Sequence, residues 1–218
     1  MARKFSFTPG EFYHIYNRGV DKRIVFDSDR DKERFQALLY LANGSKNFEL
    51  SEIERSDVLT IDRGSELCAI GAYCLMDNHF HILVKEIVEG GISKFMQKLS
   101  TAYTMYYNAC HERTGSLFGG RFKAVHVRSN NHLRYLRQYI HLNPVSIVEP
   151  KWRERGIKDL GSVKKYVASY QFSSFVDHVG QTRPETVIMK LNEFPQYEDN
   201  LAEVEESTFY WLENEIDV

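Results

Sequence analysis

The segment at residues 73–84 constrains the fold more than any other part of the chain, because it places two histidines inside an otherwise apolar run. Successive side chains of a strand point to opposite faces, so His79 and His81 would share one face of a strand. Two imidazoles on one face of a rigid strand can chelate a divalent cation. As neutral core residues, each would instead need its own hydrogen-bond partner among leucine, valine and isoleucine side chains. The segment therefore predicts a strand that carries either a metal site or a pair of ordinary histidines.

Residues 131–144 form the second informative segment, and their pattern predicts a helix. Apolar residues recur at helical spacing and a proline ends the helix, at Leu133, Leu136, Ile140 and Pro144. Tyr139 and Asn143 are four residues apart, so a phenol and an amide oxygen would be presented together near its C-terminal end. Tyr135 lies one turn earlier on nearly the same face. It is the best rival of Tyr139, because thirteen tyrosines make any single one a weak clue.

The rest of the chain predicts further strands and helices. Apolar runs bounded by turn residues predict strands at residues 11–18, 67–76, 79–86 and 122–128, with a short extended piece at 24–26. Helical spacing predicts helices at residues 29–41 and 92–111, and a terminal acidic helix at 191–212. Residues 43–66 are polar and longer than a compact sandwich needs, so we expect a surface insertion there. His132 and His141 are expected to be solvated.

Composition indicates a soluble cytoplasmic protein. A chain of 218 residues with 43% hydrophobic content can build one domain of about 150 residues with additions. No signal peptide is apparent, nor any apolar run of about eighteen residues that would cross a membrane. The three cysteines show no CxxC spacing, so free thiols in the core are expected. No nucleotide-binding glycine motif is present.

The net charge of −2 averages two very different parts of the chain. Between residues 92 and 148 there are eight basic residues and one acidic residue, a balance of +7. Between residues 184 and 218 there are ten acidic residues and one lysine, a balance of −9. Ordinary solvated helix faces account for some of these charges. The bias nevertheless predicts local, salt-sensitive attraction of the first part to phosphates.

Four motifs together resemble a known family. They are Tyr13–Gly19, Met76–His81, Gly119–Lys123 and Tyr139–Pro144, and they occur in the order seen in single-tyrosine HUH transposases. The chain looks most like the REP-associated tyrosine transposase branch, which is related to the transposases of small insertion sequences. The resemblance covers about residues 9–150, with a weaker echo at residues 170–175.

The resemblance implies an α+β fold, a ferredoxin-like α/β sandwich with a central antiparallel sheet, followed by a C-terminal helical extension. On this interpretation residues 1–150 form the catalytic domain, with the surface insertion at 43–66. Residues 151–218 form the extension, which includes the acidic tail.

The resemblance also implies roles for individual residues. His79 and His81 would be metal ligands for Mg²⁺ or Mn²⁺, Tyr139 the nucleophile, and Asn143 a further ligand. Many family members carry proline at the position of Asp77, so the fine geometry of the turn differs here. The candidates for contacting DNA phosphates are Arg18, Arg121, Lys123 and Arg128, with surface salt bridges as the alternative.

The implied function is a metal-dependent endonuclease and strand transferase that acts on single-stranded DNA at hairpin-associated sites and forms a 5′-phosphotyrosine intermediate. The protein would be bacterial and cytoplasmic, and bound to the nucleoid when it holds DNA. A homodimer and a monomer are both open. The alternatives are a non-catalytic nucleic-acid-binding regulator on the same fold, a replication-initiator-type nickase, and a structural zinc protein. Zinc spacing of further Cys or His ligands is not found.

Overall fold

The computed structural model describes residues 6–49, 58–198 and 200–214. The strands are β1 (Phe12–Arg18), β2 (Cys68–Met76), β3 (His79–Glu86) and β4 (Lys123–Val127). The helices are α1 (Asp29–Ala42), α2 (Gly91–Cys110), α3 (Asn130–His141), α4 (Val145–Val148), α5 (Trp152–Arg155), α6 (Leu160–Ser169), α7 (Phe175–His178) and α8 (Leu201–Asn214). Short 3₁₀ helices lie at Val20–Lys22, Pro184–Ile188 and Leu191–Glu193.

The four strands form one antiparallel sheet in the order β2-β3-β1-β4. With α1 between the first two strands and α2 before the last, this is the ferredoxin-like arrangement, and the predicted fold class is confirmed. The histidine-bearing strand β3 is internal, because it pairs with β1 on one side and β2 on the other. The piece at residues 24–26 is not a strand. Its backbone amides at Val25 and Phe26 instead donate to the carbonyl of Asp77.

Helices α1 and α2 cover one face of the sheet. The alternation of β1 and β3 places their apolar side chains on this face, including Tyr13, Ile15, Phe80, Ile82 and Val84. They pack against aromatic and aliphatic residues of the two helices, including Phe35, Phe95, Leu99 and Tyr103. The aromatic stripe of α2 is therefore part of the core.

Helix α3 packs on the opposite face of the sheet. Its apolar stripe contacts the side chains that alternate with those of the first core, and the cluster contains Ala72, Cys74, Leu83, Leu133, Leu136 and Ile140. The helix begins after Ser129, whose hydroxyl accepts a hydrogen bond from the amide of His132. This layer holds the C-terminal end of α3 over the part of β3 that carries the histidines.

The segments after residue 150 pack on the outer side of α3 and form a third apolar cluster that includes Trp152, Val163, Phe175, Phe209 and Leu212. We call residues 191–198 the C-terminal strap. Its Phe194 ring lies over Gly71, where a Cβ atom would approach the ring to 2.5 Å. Arg137 of α3 forms a buried ion pair with Glu198 of the strap. The strap and α8 therefore fix the outer side of α3.

Some expectations about these segments are wrong. The terminal helix begins at Leu201 rather than near residue 191. His141 is fully buried rather than solvated, because α7 covers it and His178 lies at 4.6 Å between ring centroids. Of the three cysteines, which are all free, Cys110 is exposed. No helix in the described part of the chain is both long and apolar enough to cross a membrane.

Candidate active site

The candidate site lies on the α3 side of the sheet, where His79 and His81 project from β3. Their ring centroids are 5.1 Å apart. In the antiparallel ladder His81 lies opposite Tyr16 of β1, and His79 lies opposite Arg18. Directly opposite residues point to the same face, so the strands alone place all four side chains together.

The turn before β3 fixes the orientation of the first imidazole. Asn78 donates its amide nitrogen to the carbonyl of Lys22 at 3.1 Å, which leaves its amide oxygen facing His79. That oxygen lies 2.6 Å from Nδ1 of His79 and can only accept. His79 therefore carries its proton on Nδ1 and has a free lone pair on Nε2.

A third histidine lies beside the second imidazole. Nε2 of His14, on β1, is 2.8 Å from Nδ1 of His81, and the two rings are stacked with centroids 5.0 Å apart. The side chain of Tyr16 lies alongside both rings, at 5.0 Å from His14 and 5.8 Å from His81. Because Nδ1 of His81 is engaged, Nε2 is the nitrogen that remains for another partner.

The environment keeps these imidazoles neutral. Burial lowers the pKa of His14 and of His79 to about 4, with neighbouring positive groups adding to the effect. Burial also lowers the pKa of His81 well below its ordinary value, and the neighbouring His14, His79 and Arg18 act in the same direction. The neutral form is the one that ligates a metal ion.

Of the tyrosines on α3, Tyr139 is the one whose ring contacts the histidines. Its ring lies edge-on to His81, with centroids 5.4 Å apart, and 6.1 Å from His14. Burial raises the pKa of the phenol, and the guanidinium of Arg153 opposes the rise. The guanidinium carbon of Arg153 lies 5.3 Å from the centre of the Tyr139 ring. A neutral phenol therefore faces both an imidazole and a positive charge.

The rival tyrosine, Tyr135, faces away from this centre. Its ring lies 6.2 Å from that of Tyr139 and packs against Trp211 of α8 at 5.3 Å. Within the described residues, no ring contact joins Tyr135 to the three histidines. The structure therefore places Tyr139 and Tyr135 in different surroundings, although both lie on one face of α3.

Asn143 lies just beyond α3, near the site but turned toward the helix. Its amide nitrogen donates to the carbonyl of Tyr139 at 2.8 Å and so satisfies an end of the helix. No hydrogen bond between Asn143 and the histidines occurs among the residues that the structure describes. As a ligand it would use its amide oxygen, because the nitrogen is already engaged.

The four candidate DNA-contacting residues divide into two groups. Arg18 ends β1 opposite His79, and Lys123 lies opposite Tyr16, with its ammonium 5.9 Å from that ring. Arg121 and Arg128 are exposed on either side of β4. The first pair therefore borders the histidine face directly, and the second pair extends the positive surface along the edge of the sheet.

Three further residues at the site escaped the sequence argument. His14 and Tyr16 have the same spacing of two as the pair on β3, so the alternation of β1 was a usable signal. Arg153 carried no signal, because it reaches Tyr139 through the packing of Trp152 in the third cluster.

The residues present suit a divalent cation that is bound in part by other ligands. On one face of β3, the Nε2 atoms of His79 and His81 are the ring nitrogens without a protein hydrogen bond among the described residues, and Tyr139 and Tyr16 place phenol rings beside them. In the described ranges, no three His, Cys, Asp or Glu side chains form a group that could hold a metal. Such a donor set fits an ion that completes its coordination with water and phosphate oxygens.

Comparisons with known proteins concern the sequence family and the fold. Residues 63–143 match the family model of IS200-like transposases. The fold matches the solved structure of a REP-associated tyrosine transposase bound to a REP hairpin, with a TM-score of 0.53 and 14% sequence identity over 91% of this chain and 93% of that chain. No curated protein matches the chain in sequence.

The resemblance drawn from the motifs is thereby confirmed, in sequence over residues 63–143 and in the fold over most of the chain. The matched segment contains His79, His81 and Tyr139. His14 and Arg153 lie outside it.

Proposed function

We propose that this protein is a metal-dependent, single-tyrosine DNA endonuclease and strand transferase that acts on single-stranded DNA next to a hairpin. The observation that carries the proposal is the contact of Tyr139 with His81, whose partner His79 lies on the same strand face. A nucleophile beside two neutral imidazoles is the arrangement that phosphodiester cleavage by a tyrosine needs.

In the proposed reaction the Tyr139 hydroxyl oxygen attacks the phosphorus of the scissile bond. A bond forms between the phenolic oxygen and phosphorus, the bond from phosphorus to the 3′-oxygen breaks, and the phenolic proton is lost while the 3′-oxygen gains one. The product is a 5′-phosphotyrosine and a free 3′-hydroxyl. Attack by another 3′-hydroxyl reverses these steps, so strands are rejoined without a nucleotide cofactor.

The side chains around Tyr139 supply the charge that this step needs. The phenol has a raised pKa and is neutral before attack. The guanidinium of Arg153, over the phenol ring, would favour the negative charge as it develops. His79, His81 and the oxygen of Asn143 would hold Mg²⁺ or Mn²⁺, which when bound polarises the phosphate and stabilises the leaving 3′-oxygen.

The DNA partner follows from the fold neighbour and from charge. The related structure holds a REP hairpin, and we propose a hairpin with a single-stranded flank as the partner of this chain. Arg18 and Lys123 border the histidine face and would hold phosphates of the flank. Arg121 and Arg128 would extend this contact along β4.

The proposal requires one chain only. Tyr139 contacts His81 of its own chain, so a single copy supplies the nucleophile and both imidazoles. Residues 1–150 would form the catalytic domain. The segments after residue 150 would support α3 from outside, and the protein would work in the bacterial cytoplasm.

The test is covalent trapping with labelled single-stranded DNA from the flanks of its own gene, in the presence of Mn²⁺, followed by denaturing electrophoresis. The wild-type protein should give an adduct that EDTA abolishes. Tyr139→Phe should give none while it binds the same DNA, because only the phenolic oxygen is removed.

Tyr135→Phe is the matched control, since it removes a hydroxyl from the same face of α3 and should leave adduct formation largely intact. The opposite pattern would move the nucleophile to Tyr135. Salt-sensitive DNA binding without any adduct would favour a non-catalytic regulator instead.

A further inference from the structure

His14 occupies a place in the site for which the proposed chemistry gives no role. Only 8% of its surface is exposed, and an imidazole buried to this extent usually has a hydrogen-bond partner. Its Nε2 atom lies 2.8 Å from Nδ1 of His81. The ring lies between the sheet and α3, 6.1 Å from the ring of Tyr139. A hydrogen bond between two neutral histidines couples their tautomers, because one ring nitrogen must donate and the other must accept.

One proton is shared between the two nitrogens, so there are two arrangements. If His14 donates, Nδ1 of His81 accepts, and a neutral His81 then carries its proton on Nε2. In that case the nitrogen that faces the site is blocked. If His81 donates from Nδ1, His14 accepts, and Nε2 of His81 has a free lone pair.

We propose that His14 is a positioning residue that accepts the Nδ1 proton of His81 and so presents the Nε2 lone pair of His81 to a divalent cation. The inference rests on the proposed function, since it assigns a task within the same site. His14 itself then carries its proton on Nδ1. Ligating imidazoles commonly donate their second nitrogen to a fixed acceptor in this way.

The other proposed ligand is held by the same device from a different part of the chain. His79 donates its Nδ1 proton to the amide oxygen of Asn78, which the carbonyl of Lys22 keeps in that orientation. His81 would donate the same atom to His14 on the neighbouring strand. Two independent acceptors thus leave both Nε2 atoms free on one face of β3.

The geometry also separates this role from that of a third ligand. Two nitrogens bound at about 2.1 Å to neighbouring positions of one octahedral ion lie about 3.0 Å apart. The 2.8 Å between His14 and His81 is shorter and fits a shared proton. The planes of the two rings are nearly parallel, with an interplanar angle of 23°, so the ring nitrogens of His14 and His81 meet edge to edge between neighbouring strands.

The first experiment reads the tautomers directly in the metal-free wild-type protein. Long-range ¹⁵N–¹H correlation spectra of histidine-labelled protein distinguish protonated from unprotonated ring nitrogens, and His79→Gln and His126→Gln spectra assist assignment. We expect His81 to be protonated at Nδ1 and His14 to be unprotonated at Nε2. A proton on Nε2 of His81 would overturn the inference, and this measurement requires no variant of His14.

The second experiment measures Mn²⁺ affinity from the paramagnetic resonance signal of free Mn²⁺. His14→Leu removes the acceptor and should weaken binding by about 10- to 100-fold, the range for loss of such a partner. His14→Gln retains an acceptor at the position of Nε2 and should stay within about threefold of wild type. His126→Leu, on the same sheet but bonded to Glu11, is the matched control and should not change affinity.

The results distinguish a failure of the proposed role of His14 from a failure of the proposed metal site. Equal Mn²⁺ affinity of wild type and folded His14→Leu would overturn the role of His14 alone. Loss of affinity in His14→Leu with recovery in His14→Gln supports it. Absence of Mn²⁺ binding by the wild-type protein would refute the proposed metal site, and the inference with it.

Discussion

The ion pair between Arg137 and Glu198 fastens the C-terminal strap to the helix that carries Tyr139, and removing its negative charge tests this connection. The side chains of Arg137 and Glu198 are 11% and 4% exposed. One guanidinium nitrogen contacts both carboxylate oxygens, at 2.5 and 2.6 Å. Burial alone would raise the pKa of Glu198, but the hydrogen bond and charge of Arg137, together with the hydrogen bond from Ser207 and the charge of Arg134, outweigh burial and lower it. The carboxylate is therefore ionised and paired at neutral pH.

We predict that Glu198→Gln lowers the free energy of unfolding by about 3 kcal/mol. Removing one partner of a buried pair costs about 3–5 kcal/mol, because the other charge stays buried without compensation. The lower end applies, since Arg137 retains some exposure and glutamine can still accept a hydrogen bond from it. Ser207 also donates to Glu198 and keeps one contact to an amide oxygen. Nε of Arg137 is already buried without a partner, so few alternatives remain for the guanidinium.

The assay is urea unfolding followed by two signals. The chain has two tryptophans, so a Trp152→Phe background leaves Trp211 as the only one, and it packs on Tyr135 of α3. Far-ultraviolet circular dichroism reports the whole fold. In Glu198→Gln we expect the Trp211 and circular dichroism signals to shift together to lower urea, so that one free energy of unfolding describes the loss.

The double variant Arg137→Met with Glu198→Leu is the control. Replacing both charges by apolar groups of similar size is often close to neutral, so this variant should recover most of the lost stability. A loss below about 1 kcal/mol in Glu198→Gln, the range of solvated pairs, would refute the reasoning.

Three further predictions concern the core, the strap and the DNA surface. Burial lowers the pKa of His141 and of His178, the latter to about 4. In acid the unfolded chain therefore binds more protons than the folded protein, and stability falls as the pH drops below 6.5, the ordinary pKa of histidine. His178 alone should cost about 2 kcal/mol between pH 7.5 and 5, and a urea-midpoint profile that His178→Gln does not flatten would contradict this. Gly71→Ala should cost about 1–3 kcal/mol by crowding the Phe194 ring, with partial recovery in Gly71→Ala combined with Phe194→Leu; an unchanged urea midpoint would mean that the strap yields freely. Lys123→Gln should weaken binding of unrelated single strands about equally and reduce the salt slope by about 1, and an unaltered slope in a salt titration would remove it from the DNA surface.

The main strands and helices were predictable because their signals are local. Alternation and turn residues define β2 and β3 to within a residue of the predicted bounds, and helical spacing does the same for α1 and α2. The strand order does not follow from local signals, because β1 pairs with β3 and β4 across long stretches of the chain. The family resemblance implied that arrangement.

Contacts between distant segments were not predictable. His14 meets His81 only after β1 pairs with β3, and Arg153 meets Tyr139 only after α5 packs beneath α3. The prediction that His141 is solvated was wrong for the same reason, because periodicity on α3 does not reveal that later helices cover its outer side. Helical spacing finds the face of a helix, but the rest of the chain decides what covers it.

The turn between β2 and β3 has two residues, and its length decides on which face of the sheet each β3 side chain lies. The carbonyl of Asn78 accepts a hydrogen bond from the amide of Gly19, and the carbonyl of Asp77 accepts from two amides of the loop that follows β1. Because both turn carbonyls are held in this way, the turn cannot absorb an extra residue by bulging outward. Since β3 pairs on both sides, one inserted residue would turn His81 toward α1 and α2 and bring Phe80 to the α3 face. An insertion of one residue therefore moves every following side chain of β3 to the opposite face. Insertions or deletions in this hairpin should be inherited only in compensating pairs, whereas single substitutions at the same positions alter one side chain at a time.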